Sequence, residues 1–183
     1  WSVREDYRGR PYRVERAPGG PTVFRAPLYV PAKPTGAKRV AHLASFLAGS
    51  LPVMLRQAFW RPDVVFTVEP TFFCAPLALA VATATGAASW LHVQDFEVDA
   101  AFDLGLLPAK GLTHDLALGL ERVFTGGFTR VSSISGKMAE RAAAKGVPRD
   151  RIRLFPNWVD VDAVFPQSPS MSNIFLRKLG LEG

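Results

Sequence analysis

The sequence predicts an α/β fold on a parallel sheet covered on both faces, and three features of the chain carry that expectation. Short β-branched or apolar runs alternate with longer helical patterns at the spacing of βαβ units. Gly, Pro or Ser marks most junctions between them. Polar side chains then gather directly behind one apolar strand, where open α/β sheets collect their ligands.

Along the chain, Tyr12–Val14 and Thr22–Ala26 flank Gly19-Gly20, the pattern of a hairpin with a glycine turn. Leu28-Tyr29-Val30 continues extended until Pro31 and Pro34. A helix is expected from Ala37 to Phe59, because Val40, Leu43, Phe46, Leu47, Leu51, Met54, Leu55 and Phe59 recur at helical spacing. Pro52 is expected to kink it. Asp63–Val68 reads as a strand ending in Glu69-Pro70, and Phe73–Thr85, apolar all round, as a buried helix stopped by Gly86. Ala88–Val93 is the next strand. Thr113–Thr125 follows as a helix with Leu116, Leu120, Val123 and Phe124 on one face, stopped by Gly126-Gly127. Thr129–Ile134 is a strand, Ser135 the N-cap of a helix over Gly136–Lys145, and Arg151–Phe155 a last short strand.

With 183 residues, 48% of them apolar, the chain holds enough material for one substantial core. It begins with Trp1 rather than Met, as a piece of a longer protein would. The net charge of +6 is concentrated at the amino end, where residues 1–40 carry nine Lys/Arg against three acidic residues. Such a basic edge suits an anionic membrane surface or a phosphorylated ligand. The arginine-rich end matches no recognisable nucleic-acid module, so no nucleic-acid partner is expected. Cys74 is the one cysteine, which excludes a disulfide framework and points to a reducing compartment. The longest strongly apolar stretch, residues 72–84, falls short of the roughly 20 residues a membrane-spanning helix requires. No G-x-G-x-x-G, Walker loop, G-x-S-x-G or Cys/His metal spacing occurs, so no cofactor and no metal are expected.

Leu91-His92-Val93-Gln94-Asp95-Phe96-Glu97-Val98-Asp99 is the segment richest in candidate chemistry. Gln94 and Asp95 are the candidate catalytic pair, since one can hydrogen-bond a hydroxyl and the other can orient or deprotonate it. His92 shares the face of Gln94 by strand alternation and is a candidate substrate contact. Glu97 joins it, although Asp95-x-Glu97-x-Asp99, with Asp103 beyond, also reads as a hard-oxygen carboxylate cluster for a cation or, more readily, as carboxylates stabilised at a helix start. Glu69 ends the preceding strand on the same rim and suits a sugar hydroxyl. Ser135 opens a helix whose N–H groups could meet an anion, beside its simpler capping role.

The carboxyl end carries Arg151-Ile152-Arg153-Leu154-Phe155-Pro156-Asn157-Trp158-Val159-Asp160 and then Phe165-Pro166. This stretch resembles the segment that closes the N-terminal domain of GT-B glycosyltransferases of family 4. Trp158 in a position usually held by Gly is similar to the subgroup making colanic acid and related O-antigen polysaccharides. Residues 26–31 (APLYVP), 43–46 (LASF), 60–65 (WRPDVV), 93–95 (VQD) and 133–138 (SISGKM) fit the same subgroup. The resemblance implies a Rossmann-like, doubly wound parallel sheet. It implies retaining transfer of a sugar from a nucleotide-sugar donor to a lipid-linked acceptor, by a cytoplasmic protein held peripherally on the inner face of the plasma membrane. The family's strand-end His-Asp pair falls on Gln94-Asp95, so a titratable base is replaced by an amide. Asn157 enters the substrate-binding set through its place in the closing motif.

The resemblance also sets domain limits. Residues 1–165 correspond to a partial acceptor-side domain, and residues 166–183 to a linker into a donor domain that holds most of the nucleotide-sugar site. The family's first strand with its Gly-rich loop would precede Trp1, and its Glu-x7-Glu donor motif would follow Gly183. On this reading the isolated chain is inactive; the alternative is a non-catalytic truncated product or interaction module that keeps only the fold.

Overall fold

The computed structural model describes residues 3, 5–9, 12–33, 35–70, 72–96, 98–99, 102, 105, 110–164 and 178. Strands β1 (Arg13–Arg16) and β2 (Thr22–Arg25) form the expected antiparallel hairpin, with Arg13 opposite Arg25 and Arg16 opposite Thr22. Glu15 lies within it and accepts two hydrogen bonds of 2.9 Å from Arg25. Those bonds, first of all, hold the Glu15 carboxyl below its ordinary pKa. Two of the amino-terminal cations, Arg13 and Arg25, are thereby partly neutralised within the hairpin.

Helix α1 (Gly36–Trp60) follows and runs through Pro52 without a break. The extended segment before it is laid against α1: Tyr29 N–H donates to Ser45 Oγ at 2.8 Å, and Tyr12 Oη donates to the Gly49 carbonyl at 2.9 Å.

Strands β3 (Val64–Glu69), β4 (Ala88–Val93), β5 (Arg130–Ser133) and β6 (Ile152–Leu154) form the parallel sheet, adjacent in that order. Helix α2 (Ala75–Thr85) connects β3 to β4, α3 (Leu112–Gly127) precedes β5, and α4 (Gly136–Ala144) joins β5 to β6. Because each successive strand is added on the same side, right-handed crossovers place these helices on one face. That face holds the core: Val65, Leu91, Val93 and Val131 from the strands against Ala78, Val81, Phe128 and Ala142. The alternation of strands and helices predicted cover on both faces, but Val64, Phe66 and Val68 on the other face of β3 are exposed.

Two expectations about α3 are corrected. The helix continues through Gly126-Gly127 and ends at Phe128. Gly127 serves instead to let α3 approach α2, since a Cβ there would stand 3.1 Å from Leu79 Cδ1. Its core-facing residues include Glu121 and Thr125, whereas Leu116, Leu120 and Val123 are exposed and Phe124 is partly buried against the core. Periodicity located an apolar stripe without fixing which way it turns; the buried carboxylate is tolerated because Lys145 neutralises it. Residues 165–177 and 179–183, which include nearly all of the expected linker, lie outside the described residues.

Candidate functional site

Four parallel strands bring four carboxyl ends to one rim. Glu69 stands at the end of β3, Gln94-Asp95 directly after β4, Ser135 two residues past β5, and Asn157 three past β6. The rim is stitched across the strands. Gln94 N–H donates to the Glu69 carbonyl at 3.4 Å, Ser133 Oγ to the Val93 carbonyl at 2.8 Å, and Phe155 N–H to the Ser133 carbonyl at 2.9 Å. Gln94, Asp95, Ser135 and Asn157 are exposed, and Glu69 is only 3% exposed. Glu97 and Asp103 lie outside the described residues.

Ser135 is an N-cap as its sequence position suggests: its Oγ accepts from Met138 N–H at 3.3 Å. A depression lined by Gly136, Ala139, Glu140, Arg149 and Ile152 lies between α4 and β6, away from Gln94 and Asp95.

His92 belongs to the open face. It is 4% exposed, its ring stacked 6.0 Å from Phe66 and tilted against Phe155 at 5.3 Å. Burial pushes its pKa below the usual histidine value, so the imidazole is neutral at neutral pH. Trp90 Nε1–H donates to Ser132 Oγ at 2.8 Å, and Ser132 Oγ lies 2.9 Å from His92 Nδ1. A serine hydroxyl that accepts from Trp90 keeps a proton to give and a second lone pair to accept with, so it satisfies Nδ1 in either imidazole tautomer.

Asp99 departs from the carboxylate cluster suggested by Asp95-x-Glu97-x-Asp99. Its oxygens meet Lys145 Nζ and Arg141 Nε, each at 2.8 Å, and Lys145 also pairs with Glu121 of α3. Burial raises the Glu121 pKa, against the lowering effect of Lys145. Sequence reading missed this cluster; the one available signal was an acidic residue among the apolar positions of α3. Among the described residues, no group of three or more His, Cys, Asp or Glu is arranged to hold a metal ion.

The rim presents an exposed amide and an exposed carboxylate side by side at the end of β4, groups that can hydrogen-bond a polar ligand. The comparisons with known proteins bear on the same elements. The family model described as "Glycosyl transferase 4-like domain" matches residues 3–158. Over 163 residues, 88% of its length, the chain is 40% identical to a protein of Escherichia coli (strain K12) described as "Putative colanic acid biosynthesis glycosyl transferase WcaI". The chain spans 40% of that relative's length.

Proposed function

The chain belongs to the glycosyl transferase 4-like family, and on that premise we propose that it is the acceptor-side domain of a retaining, nucleotide-sugar-dependent glycosyltransferase. Its acceptor would be a lipid-linked sugar in exopolysaccharide assembly, with residues 1–165 forming the domain and 166–183 leading to the donor side. The observation that carries this reading is the exposed Gln94-Asp95 pair at the end of a strand flanked by two others.

In the proposed reaction Gln94 hydrogen-bonds the acceptor hydroxyl and Asp95 orients it. A neutral amide cannot take the proton, and with Asp95 assigned to orienting the hydroxyl, the proton passes to the donor's departing phosphate as the bond from the sugar to that phosphate breaks and the glycosidic bond forms on the same face. Exposed Ser135 and Asn157 would contact the acceptor from the neighbouring strand ends, Glu97 is assigned to the same set, and Glu69 and His92, both buried, would act from beneath the rim. No metal and no organic cofactor enters this scheme.

The membrane part of the reading is supported by α1. Val40, Ala44, Ala48, Leu51, Leu55 and Phe59 are exposed, flanked by exposed Lys38 and Arg56, and residues 36–60 contain no Asp or Glu. Phe59 and Trp60 at its end are 90% and 74% exposed. Among the described residues no helix is long and apolar enough to cross a membrane; the proposed attachment, on the cytoplasmic face, is peripheral and made by this exposed apolar side of α1. Phe59→Ala/Trp60→Ala is expected to lower binding to anionic vesicles about tenfold at low salt; unchanged binding removes α1 from the contact.

The test of the activity is a chimera in which this chain replaces the matched segment of the E. coli relative. Restored polysaccharide supports transfer, and Asp95→Asn or Gln94→Ala in the chimera is expected to lower it about 100-fold. A chimera that makes none while folding, or variants that keep full activity, refutes the assignment.

A further inference from the structure

The segment after β4 carries the proposed Gln94-Asp95 pair, yet both side chains are exposed. On its amino-terminal side it is tied by the 3.4 Å bond from Gln94 N–H to the Glu69 carbonyl. The stronger anchorage lies just beyond. Phe96 is buried, with Lys145 Nζ 5.1 Å and the Arg141 guanidinium 5.8 Å from its ring centre. Asp99 then receives both cations, and Lys145 pairs in addition with buried Glu121. Three separate parts of the fold therefore converge: the segment after β4, helix α3 through Glu121, and the end of α4 through Arg141 and Lys145.

We propose that Lys145 and Glu121 are positioning residues, which hold Phe96 and Asp99 and so fix the direction in which Gln94 and Asp95 point. This rests on the reading of that pair as the acceptor site. The chemistry favours a lock over an incidental surface bridge. Lys145 and Glu121 are largely withdrawn from solvent, with side chains 11% and 4% exposed, where a charge is tolerated only when paired. Without the ammonium, the carboxylates of Asp99 and Glu121 would face each other in a desolvated site. The accessible relief is for Asp99 to swing outward with its segment, carrying the rim pair along. Such supporting groups decide whether a reacting side chain keeps its geometry.

The test compares Lys145→Met, Lys145→Arg and wild type in the full chain by backbone hydrogen exchange, and in the chimera by kinetics. In Lys145→Met the amides of residues 94–99 should exchange about tenfold faster while those of β4 and β5 keep their protection. Lys145→Arg should restore the wild-type rate. In the chimera, Lys145→Met should lower kcat about tenfold with donor KM unchanged. The proposal is overturned if the segment exchanges at the wild-type rate, if β4 and β5 accelerate by the same factor, or if kcat survives a loosened segment. Should Lys145→Met fail to fold, Asp99→Asn, which keeps the side-chain shape without its charge, is held to the same standards. A wild-type chimera without transfer refutes the function, while hydrogen exchange still decides whether the cluster holds the segment.

Discussion

Gly49→Ala is the substitution whose cost follows most directly from the geometry. Gly49 is buried in α1 where the chain ahead of the helix crosses it, and an added Cβ would stand 2.1 Å from the Pro27 carbonyl oxygen and 3.3 Å from its carbon. Non-bonded heavy atoms settle near 3.5 Å, so the two segments must part by roughly 1 Å or more. Neither gives easily, because Tyr29 N–H on Ser45 Oγ and Tyr12 Oη on the Gly49 carbonyl pin the crossing on both sides. Overpacking of this kind costs about 1–3 kcal/mol, and backbone against backbone belongs near the upper figure. Ala in place of Gly inside a helix returns about 1 kcal/mol. The net loss is about 2 kcal/mol, or about 4–8 °C in Tm for a chain of this length. Gly119→Ala is the internal control. It sits inside α3 with nothing within 4 Å of the new Cβ, so only the helix gain of about 0.5–1 kcal/mol remains. Urea unfolding of the full chain followed by tryptophan fluorescence reads both. Equal stability of Gly49→Ala and wild type, or shifts of the same sign in the two variants, would refute the close-approach account.

Ser135→Ala should destabilise the chain by about 1 kcal/mol and Ser135→Gly by a few tenths, because the lost bond is the cap to Met138 N–H; equal losses in urea unfolding would show that capping is not its structural role. His92 has a folded-state pKa lowered by burial, so its contribution is present above the unfolded value of about 6.5 and is lost as pH falls through the folded one. His92→Gln should flatten that acid limb, and an unchanged limb in thermal melts would count against a buried neutral imidazole. Glu121 behaves oppositely: its raised pKa means stability present below about 4.3 and lost as pH rises through the folded value. Glu121→Gln should therefore lose less stability than wild type between acid and neutral pH, and parallel stability curves would contradict the burial of that carboxyl.

The strands, their parallel arrangement and their shared rim were legible because they rest on local signals. The strand Ala88–Val93 and the Ser135 cap stand where the sequence put them, since short apolar runs bounded by breakers and capping residues act within a few positions of themselves. The orientation of α3 was not legible. Leu116, Leu120 and Val123 mark a stripe, but only the pairing of Glu121 with Lys145, 24 residues later, decides that the carboxylate faces inward. Asp99 was hidden for the same reason. In the sequence it stands with Asp95 and Glu97, and the partners that claim it lie on α4, 42 and 46 residues away. The exposed face of β3 was equally out of reach, because alternation of strands and helices says that a sheet is layered without saying which residues supply each layer.

Position and support make the end of β4 the place on this rim best suited to chemistry. It is flanked by β3 and β5 and so has hydrogen-bonded neighbours on both edges. On the open face, His92 is held between Phe66 and Phe155 and tied through Ser132 to Trp90. On the helix face, Phe96 lies under Arg141 and Lys145 one residue after Asp95. The end of β3 offers Glu69, which is buried, and the end of β6 belongs to an edge strand of three residues. Among the described residues, β4 and β5 are the strands paired on both edges, and after β4 an exposed amide and an exposed carboxylate stand side by side, where β5 is followed by the helix-capping Ser135. On the proposed reading, a backbone held in this way would let Gln94 and Asp95 lose less conformational freedom on meeting an acceptor than the same two residues on a free loop.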